Sequence, residues 1–346
     1  MAYTTIDKPS DYFNTKLYTG NNSSTSITGV GFQPDLSWFK TRSAANGHTL
    51  IDSVRGITKR LASHNTQAEI TQSDMLESFD SDGFTLGDDS NNYTNWSGKT
   101  WVAWNWKAGG SASSNSNGSI TSSISASSNS GFSIVSYSGT SSNGTIGHGL
   151  DSAPKMVIVK ALASGRDWMT YHKSVGATKY LFLNATDASA SSSGIWNDTD
   201  PTSTVVHLGS SNSVNGNGIN YIAYCFADTS MSKMGSYTGN GSTDGTFVYT
   251  GFKPAFVMYK NASDNYTNWQ IHDSKRSPYN LSVNRLNPND NSVELGTTAD
   301  SFDFLSNGFK ARATASNSNT SGSTYIYMAF SEESFVSSTG VPATAR

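Results

Sequence analysis

A single cysteine, Cys225, stands in the 346 residues, so no internal disulfide can brace this chain. It lies in the strand-like run 221–226 with no histidine close by in sequence, which marks a small buried residue and not a catalytic thiol. Charge is scarce as well: Asp, Glu, Lys and Arg make up 14% of the chain, against about 25% in an average soluble protein. Lys plus Arg number 23 and Asp plus Glu 26, and the net charge of −3 supplies no field for gripping nucleic acid or an anionic membrane. Nowhere do 18 apolar residues run together, so no helical membrane span and no membrane insertion are expected. Residues 1–13 carry neither a basic nor an apolar leader region, and synthesis in a cytoplasm without a standard export signal is expected. Helical periodicity is missing too. The best candidate for a helix is the short stretch 68–77.

Ser, Thr, Asn, Gly and aromatic residues fill the space left by charge. Apolar residues come in bursts such as VIV, FVMY and WVAWNW, bounded by Gly, Pro, Asn or Ser, which read as strands between turns. The chain is expected to be all-β.

Self-similarity then sets the organisation. Pro34 to Lys40, Pro154 to Lys160 and Pro254 to Lys260 share one pattern of Pro, five residues, then Lys. Tyr-x-Gly motifs at Tyr18, Tyr137 and Tyr237 precede these prolines by 16, 17 and 17 residues, and aromatic runs from Trp101, Tyr221 and Tyr325 follow the lysines by 61, 61 and 65. Three tandem β-sandwich, jelly-roll-like repeats of roughly 100 residues each are therefore expected: 1–110, 131–228 and 229–346. Residues 111–130, almost all Ser, Asn, Gly and Ala, read as a flexible linker that Ile120 and Ile124 could dock in part. Pro34, Pro154 and Pro254 suit the first residue of a strand. Lys40, Lys160 and Lys260 are structural markers, each expected to run its stem over the core edge and keep its ammonium wet.

Candidate chemistry is thin. Asp52 with Asp80, and Asp273 with Asp303, sit at matching positions in the outer repeats and could serve as the carboxylate pair of a glycosidase. Aspartates before Ser or Gly more often cap turns, and Lys173 replaces the first of them in repeat two. The six histidines show no metal-ligand spacing, although His172 and His272 could share a strand position. No cofactor and no metal are expected. NYTNW occurs at 92–96 and 265–269, yet the two copies fall at different distances from their lysines. Only the first, with Tyr93 and Trp96 on a loop private to repeat one, is a candidate for ligand contact, through ring stacking on a sugar or base.

The run GVGFQPDLSWFKTR, then DSVRG, SFDSDGFTLG and WVAWNWKAGG, resembles a domain of uncharacterised function that recurs in virion structural proteins of tailed bacteriophages, especially marine ones. The opening TTIDKPSDYFNTKLYTGN is similar to the usual start of such tail fibre or structural proteins. The resemblance implies a virion protein without assigned catalytic residues. The expected function is thus a non-enzymatic tail appendage or fibre-type adhesin that meets host-surface glycan and other virion proteins, as a homo-oligomer, a trimer by the symmetry of such appendages. A capsid decoration protein and a polysaccharide-degrading tailspike-like enzyme are the alternatives.

Overall fold

The computed structural model describes residues 8–163 and 165–334; the sequence opening through Asp7 and the stretch 335–346 lie outside them. Among the described residues the regular structure is nearly all strand, beside one helix of four residues and two short 3-10 turns. Three four-stranded antiparallel arrangements share one strand order. In the first segment it runs Phe13–Thr19, Thr100–Trp106, Leu36–Thr41, Thr49–Asp52. In the second it runs Phe132–Ser138, Asn220–Phe226, Met156–Ala161, Met169–His172, and in the third Ser232–Thr238, Thr324–Ser334, Phe252–Asn261, Gln270–Asp273. Register matches as well, since Lys40, Lys160 and Lys260 stand opposite Val102, Ile222 and Ile326.

A smaller sheet faces each large one. Thr25–Thr28, Gly83–Leu86 and Leu76–Asp80 form it in the first segment, Gly144–Gly147 and Val205–Leu208 in the second, and Phe247–Tyr249, Gly308–Ala311 and Phe302–Leu305 in the third. The alternation of side chains along a strand divides the central strands between two cores. Trp101 and Ala103 enter the sandwich core of the first segment, while Val102, Trp104 and Trp106 point the other way. Tyr221, Ala223 and Cys225 alternate likewise with Ile222, Tyr224 and Phe226, as do Tyr325, Tyr327 and Ala329 with Ile326, Met328 and Phe330.

The second set from all three segments meets in one common core. There Phe13 stacks on Phe330 at 4.8 Å, and Trp106 lies 6.3 Å from Phe226 and 5.9 Å from Phe256. At about 1.5–3 kcal/mol per buried large side chain, this core binds the segments into one body. The sandwiches are therefore not independent beads.

Two stretches differ from the sequence expectation. Residues 111–130 are not a free linker, because Ser113–Asn115 and Ser122–Ser127 extend the second large sheet beside Phe132–Ser138. Ile120 and Ile124 enter the second core; the four-residue spacing that puts them on one face outweighs the flexible composition. The stretch 68–77 forms no helix but holds Ile70–Thr71 and the start of Leu76–Asp80, and its Glu69 N–H donates to the Leu162 carbonyl of the next segment. Tertiary pairing overrides weak local propensity.

The Tyr-x-Gly motifs close one end of each sandwich. Tyr18, Tyr137 and Tyr237 donate their hydroxyls to the carbonyls of Thr94, Val214 and Ser318. Their rings stack on Trp101, Tyr221 and Tyr325 at 6.2, 5.2 and 4.9 Å. Gly20, Gly139 and Gly239 must be glycine because a Cβ there would overlap the carbonyls of Trp96, Gly216 and Thr320. Gly239→Ala is expected to destabilise by about 1–3 kcal/mol in urea denaturation, whereas Gly322→Ala, with open space around its Cβ, should cost less, and only through its positive φ.

Candidate functional site

Lys40, Lys160 and Lys260 are fully buried, so their ammonium groups are not wet as expected. Backbone carbonyls replace water. Lys260 donates to Asn261 O at 2.9 Å, to Thr267 Oγ1 at 2.6 Å and to Thr186 O of the preceding segment at 3.3 Å. Lys160 donates to Arg166 O at 2.6 Å and to Thr66 O of its preceding segment at 3.1 Å, and Lys40 to Thr41 O at 2.8 Å. Burial pushes Lys40 and Lys160 down to about 8 and Lys260 to about 7. The prolines do not start strands: Pro34 and Pro154 lie just ahead of Leu36–Thr41 and Met156–Ala161, and Pro254 sits inside its strand where the register shifts. A bulge tolerates the missing N–H there.

The segments are locked by contacts that repeat at equivalent positions and close on themselves. Trp168 Nε1–H donates to Ala62 O at 2.9 Å, Trp269 Nε1–H to Phe182 O at 2.8 Å, and His48 Nε2–H, at the same place in the first segment, to Asn287 O at 2.9 Å. Each donor reaches into the preceding segment, and the first reaches into the third. A second set follows the same cycle. Tyr224 donates its hydroxyl to Asp52 Oδ2 at 2.7 Å, Trp104 Nε1–H donates to Asp273 Oδ2 at 3.0 Å, and His172 Nε2–H donates to Tyr327 O at 3.1 Å. Where Met328 stands in place of Tyr224 and Trp104, no side-chain donor exists, and the acceptor aspartate has become a donor histidine.

This register corrects two sequence alignments. Leu36, Met156 and Phe256 stand opposite Asp52, His172 and Asp273, so His172 and not Lys173 matches the aspartates. His272 stands opposite Val257, one residue out, and shares no position with His172.

The carboxylate pairs are not brought together. Asp52 is bound by Arg55 Nε at 2.6 Å as well as by Tyr224, and Asp273 by Arg276 Nε at 2.5 Å as well as by Trp104, all on the common-core side. Asp80 accepts from Ser78 and Thr85 on the outer face of the small sheet, and Asp303 meets Arg312 there. A sandwich core lies between the members of each pair, a sheet spacing of about 10 Å or more, with no room for a shared glycosidic bond. Cys225 is buried in the second sandwich core and its thiol is pushed up to about 12 by that burial. Among the described residues no group of three or more His, Cys, Asp or Glu could hold a metal, and no helix is long and apolar enough to cross a membrane.

Tyr93 and Trp96 are half-buried and pack against the first sandwich core. The Arg60 guanidinium covers Tyr93 at 4.0 Å, and Lys99 Nζ lies 5.2 Å from the Trp96 ring. Their loop is tightly held: Asp89 Oδ2 accepts from Thr94 N and Asn95 N, and Asn95 Nδ2 donates to Gly87 O and Ser23 O. Asn215 and Asn319 hold the equivalent loops in the same way, through Gly209 O and Ala313 O. Trp96 is followed by the exposed Ser97 and Gly98.

The exposed large apolar side chains among the described residues are Phe247, Tyr249, Tyr266, Tyr279, Leu281 and Val293, all in the third segment. Sequence reasoning missed them. The one signal was the alternation Phe247, Val248, Tyr249 on a short strand, in which only Val248 is buried.

The profile of a family described as a domain of unknown function, DUF7483, matches residues 8–334. No curated protein and no solved structure matches the chain.

Proposed function

The chain belongs to the DUF7483 family, and from that premise we propose that it is a non-enzymatic virion structural protein of the tail-appendage type. Its first segment presents Trp96 and Tyr93 to a host-surface glycan. The observation that carries this reading is the closed cycle of inter-segment hydrogen bonds, in which Asp52, Asp273, His48, His172 and the indoles of Trp104, Trp168 and Trp269 are all spent on holding the body rigid. These groups are turned inward, while the carboxylates of Asp80 and Asp303 on the outer faces are held by Ser78, Thr85 and Arg312. The three segments are read as copies of one unit, so a single chain already has approximate threefold form, the symmetry common among appendages. The resemblance of residues 3–110 to tailed-phage virion proteins points the same way. A loop fixed by Asp89 and Asn95 holds Trp96 in place before a ligand arrives, which limits the ordering cost of binding.

Labelling this protein on intact particles is expected to mark the tail. Its absence from the particle refutes the proposal, and a label on the head moves it to shell decoration. On arrays of host-surface oligosaccharides, Trp96→Ala is expected to lose about tenfold or more in affinity while the chain stays folded at the assay temperature, the lost packing against the first core lowering only the melting temperature. Equal binding by the variant would remove the loop from the contact.

A further inference from the structure

The second segment is covered along a side where, among the described residues, no strand covers the third; there the Thr229 N–H donates to Ser232 O and the Met234 N–H to Asp228 Oδ1 at one end of the large-sheet edge, and Thr246 Oγ1 donates to Thr238 O at the other. In the second, Ser122–Ser127 pairs with the outer strand of the large sheet, Phe132–Ser138. Just before it, the Ile120 N–H donates to Thr145 O at 2.9 Å and the Thr145 N–H to Ser119 Oγ at 2.8 Å, at the edge of the small sheet. One extended stretch thereby seals both sheets, and Ile120 and Ile124 plug the core between them at 7% and 9% exposure.

The equivalent strands of the third segment, Ser232–Thr238 and Phe247–Tyr249, are each the last strand of their sheet. Only residues 227–231 connect the large sheets of segments two and three, against 107–131 between one and two, so that junction has no length to spare for a cover. Val248 stands opposite Phe309 as Ile146 stands opposite Val206, which puts Phe247 in the place of Thr145. The Ala311 N–H donates to Thr246 O at 3.1 Å, so Thr246 faces its neighbour and alternation turns the N–H and C=O of Phe247 outward. Phe247 and Tyr249 are 45% and 61% exposed at this edge. On the large sheet, Gly235 is half-buried where Val135 is fully buried.

The first segment treats the same side differently. Its edge carries Ser26 and Thr28, and Asn14 reaches across to Val30 O at 2.9 Å. Polar side chains blunt an edge against strand addition; exposed aromatics invite it.

We propose that the bare side of the third sandwich takes an extended strand from a partner protein, of the kind that 113–127 supplies to the second. Such a strand is rich in Ser and Gly, carries two β-branched apolar residues four apart, and pairs with Phe247–Tyr249 and with the part of Ser232–Thr238 beyond Met234, whose N–H is already taken by Asp228. That the partner is a neighbour in the particle rests on the structural-protein reading; the edge chemistry does not.

The test adds a synthetic peptide of residues 111–127 to the full chain and follows amide hydrogen exchange. Saturable binding is expected, with exchange slowed about tenfold or more at 235–238 and 247–249. A peptide with Ile120→Asp and Ile124→Asp should not bind. Phe247→Pro removes the outward N–H at an edge position that tolerates proline, and should abolish protection while the melting temperature stays close to that of the parent. A Phe247→Pro variant that fails to fold is replaced by Tyr249→Asp, expected to weaken binding at least tenfold. Absence of protection at these strands, protection at 132–138 instead, or equal binding by the Asp peptide overturns the proposal. None of these results bears on particle labelling, so failure of the edge and failure of the virion reading are told apart.

Discussion

Asp273→Ala should destabilise the chain by about 3–5 kcal/mol, the cost of leaving a buried charge without its partner. Asp273 and Arg276 are both fully buried, and Asp273 also takes the Trp104 N–H from the first segment. Removing the carboxylate strands a guanidinium and an indole N–H in the common core, with Glu294 at 3.0 Å as the one carboxylate left to Arg276. Asp52→Ala should behave alike, since Arg55 and the Tyr224 hydroxyl lose the same support. Asp80→Ala, on the outer face, should stay within about 1 kcal/mol. Replacing both Asp273 and Arg276 by apolar residues should recover part of the loss, because the buried pair itself adds little net stability. Urea denaturation of the four variants checks this. A cost below about 1 kcal/mol for Asp273→Ala would show that the inter-segment lock is not where stability resides.

Acid should open the same lock. All six histidines are held below their ordinary value of 6.5, by burial first of all: His48 and His272 well below it, His64 and His172 at about 4, His148 and His207 to a smaller degree. Hydrogen bonding explains why His48 and His172 resist protons. His48 Nδ1 accepts the Trp38 indole N–H while Nε2–H donates to Asn287 O, and His172 Nδ1 accepts Ser174 N–H while Nε2–H donates to Tyr327 O. A proton on either Nδ1 would set two donors face to face.

The unfolded chain therefore binds more protons than the folded one below pH 6.5. Stability is fully present above 6.5 and is lost as pH falls from 6.5 toward 4, by on the order of 3 kcal/mol for His172 alone. The melting temperature should drop by about 10 °C or more between pH 7 and pH 4.5. Carboxylates such as Glu294, held below its ordinary value against burial by its bonds to Arg42 and Arg276, lose their contribution only at lower pH. His172→Gln should cost stability at pH 7 and flatten the profile by about one proton. A melting temperature that is flat from pH 7 to 4.5 would contradict this account.

At the alkaline side the lysines act with the same proton balance as the histidines, the unfolded chain again binding more protons than the folded one. Because Lys40, Lys160 and Lys260 bind protons less readily folded than unfolded, raising the pH from about 7 toward 10 should increase stability. Calorimetry over that range reads the slope.

Much of the architecture was legible before folding. Apolar bursts such as WVAWNW mark strands between turns, and the fixed distances among Tyr-x-Gly, Pro-to-Lys and aromatic runs name the strands that end up equivalent. Trp168 and Trp269, 8 and 9 residues after their lysines, both stand directly ahead of the strand that pairs with the lysine-bearing one. These signals are local, since backbone geometry alone decides which side chains share a face.

What covers each face was settled only in three dimensions. Alternation separates Trp101 from Trp104 but does not say that one meets its own small sheet and the other a core shared with residues more than a hundred positions away. The ammonium groups of Lys160 and Lys260 became buried because the preceding segment lays carbonyls over them, and strands formed within 111–130 because the second sandwich offered an open edge. Neither partner is adjacent in sequence. The sequence determines which residues can face together; the free energy of long-range packing, gained only once all three segments meet, decides what they face.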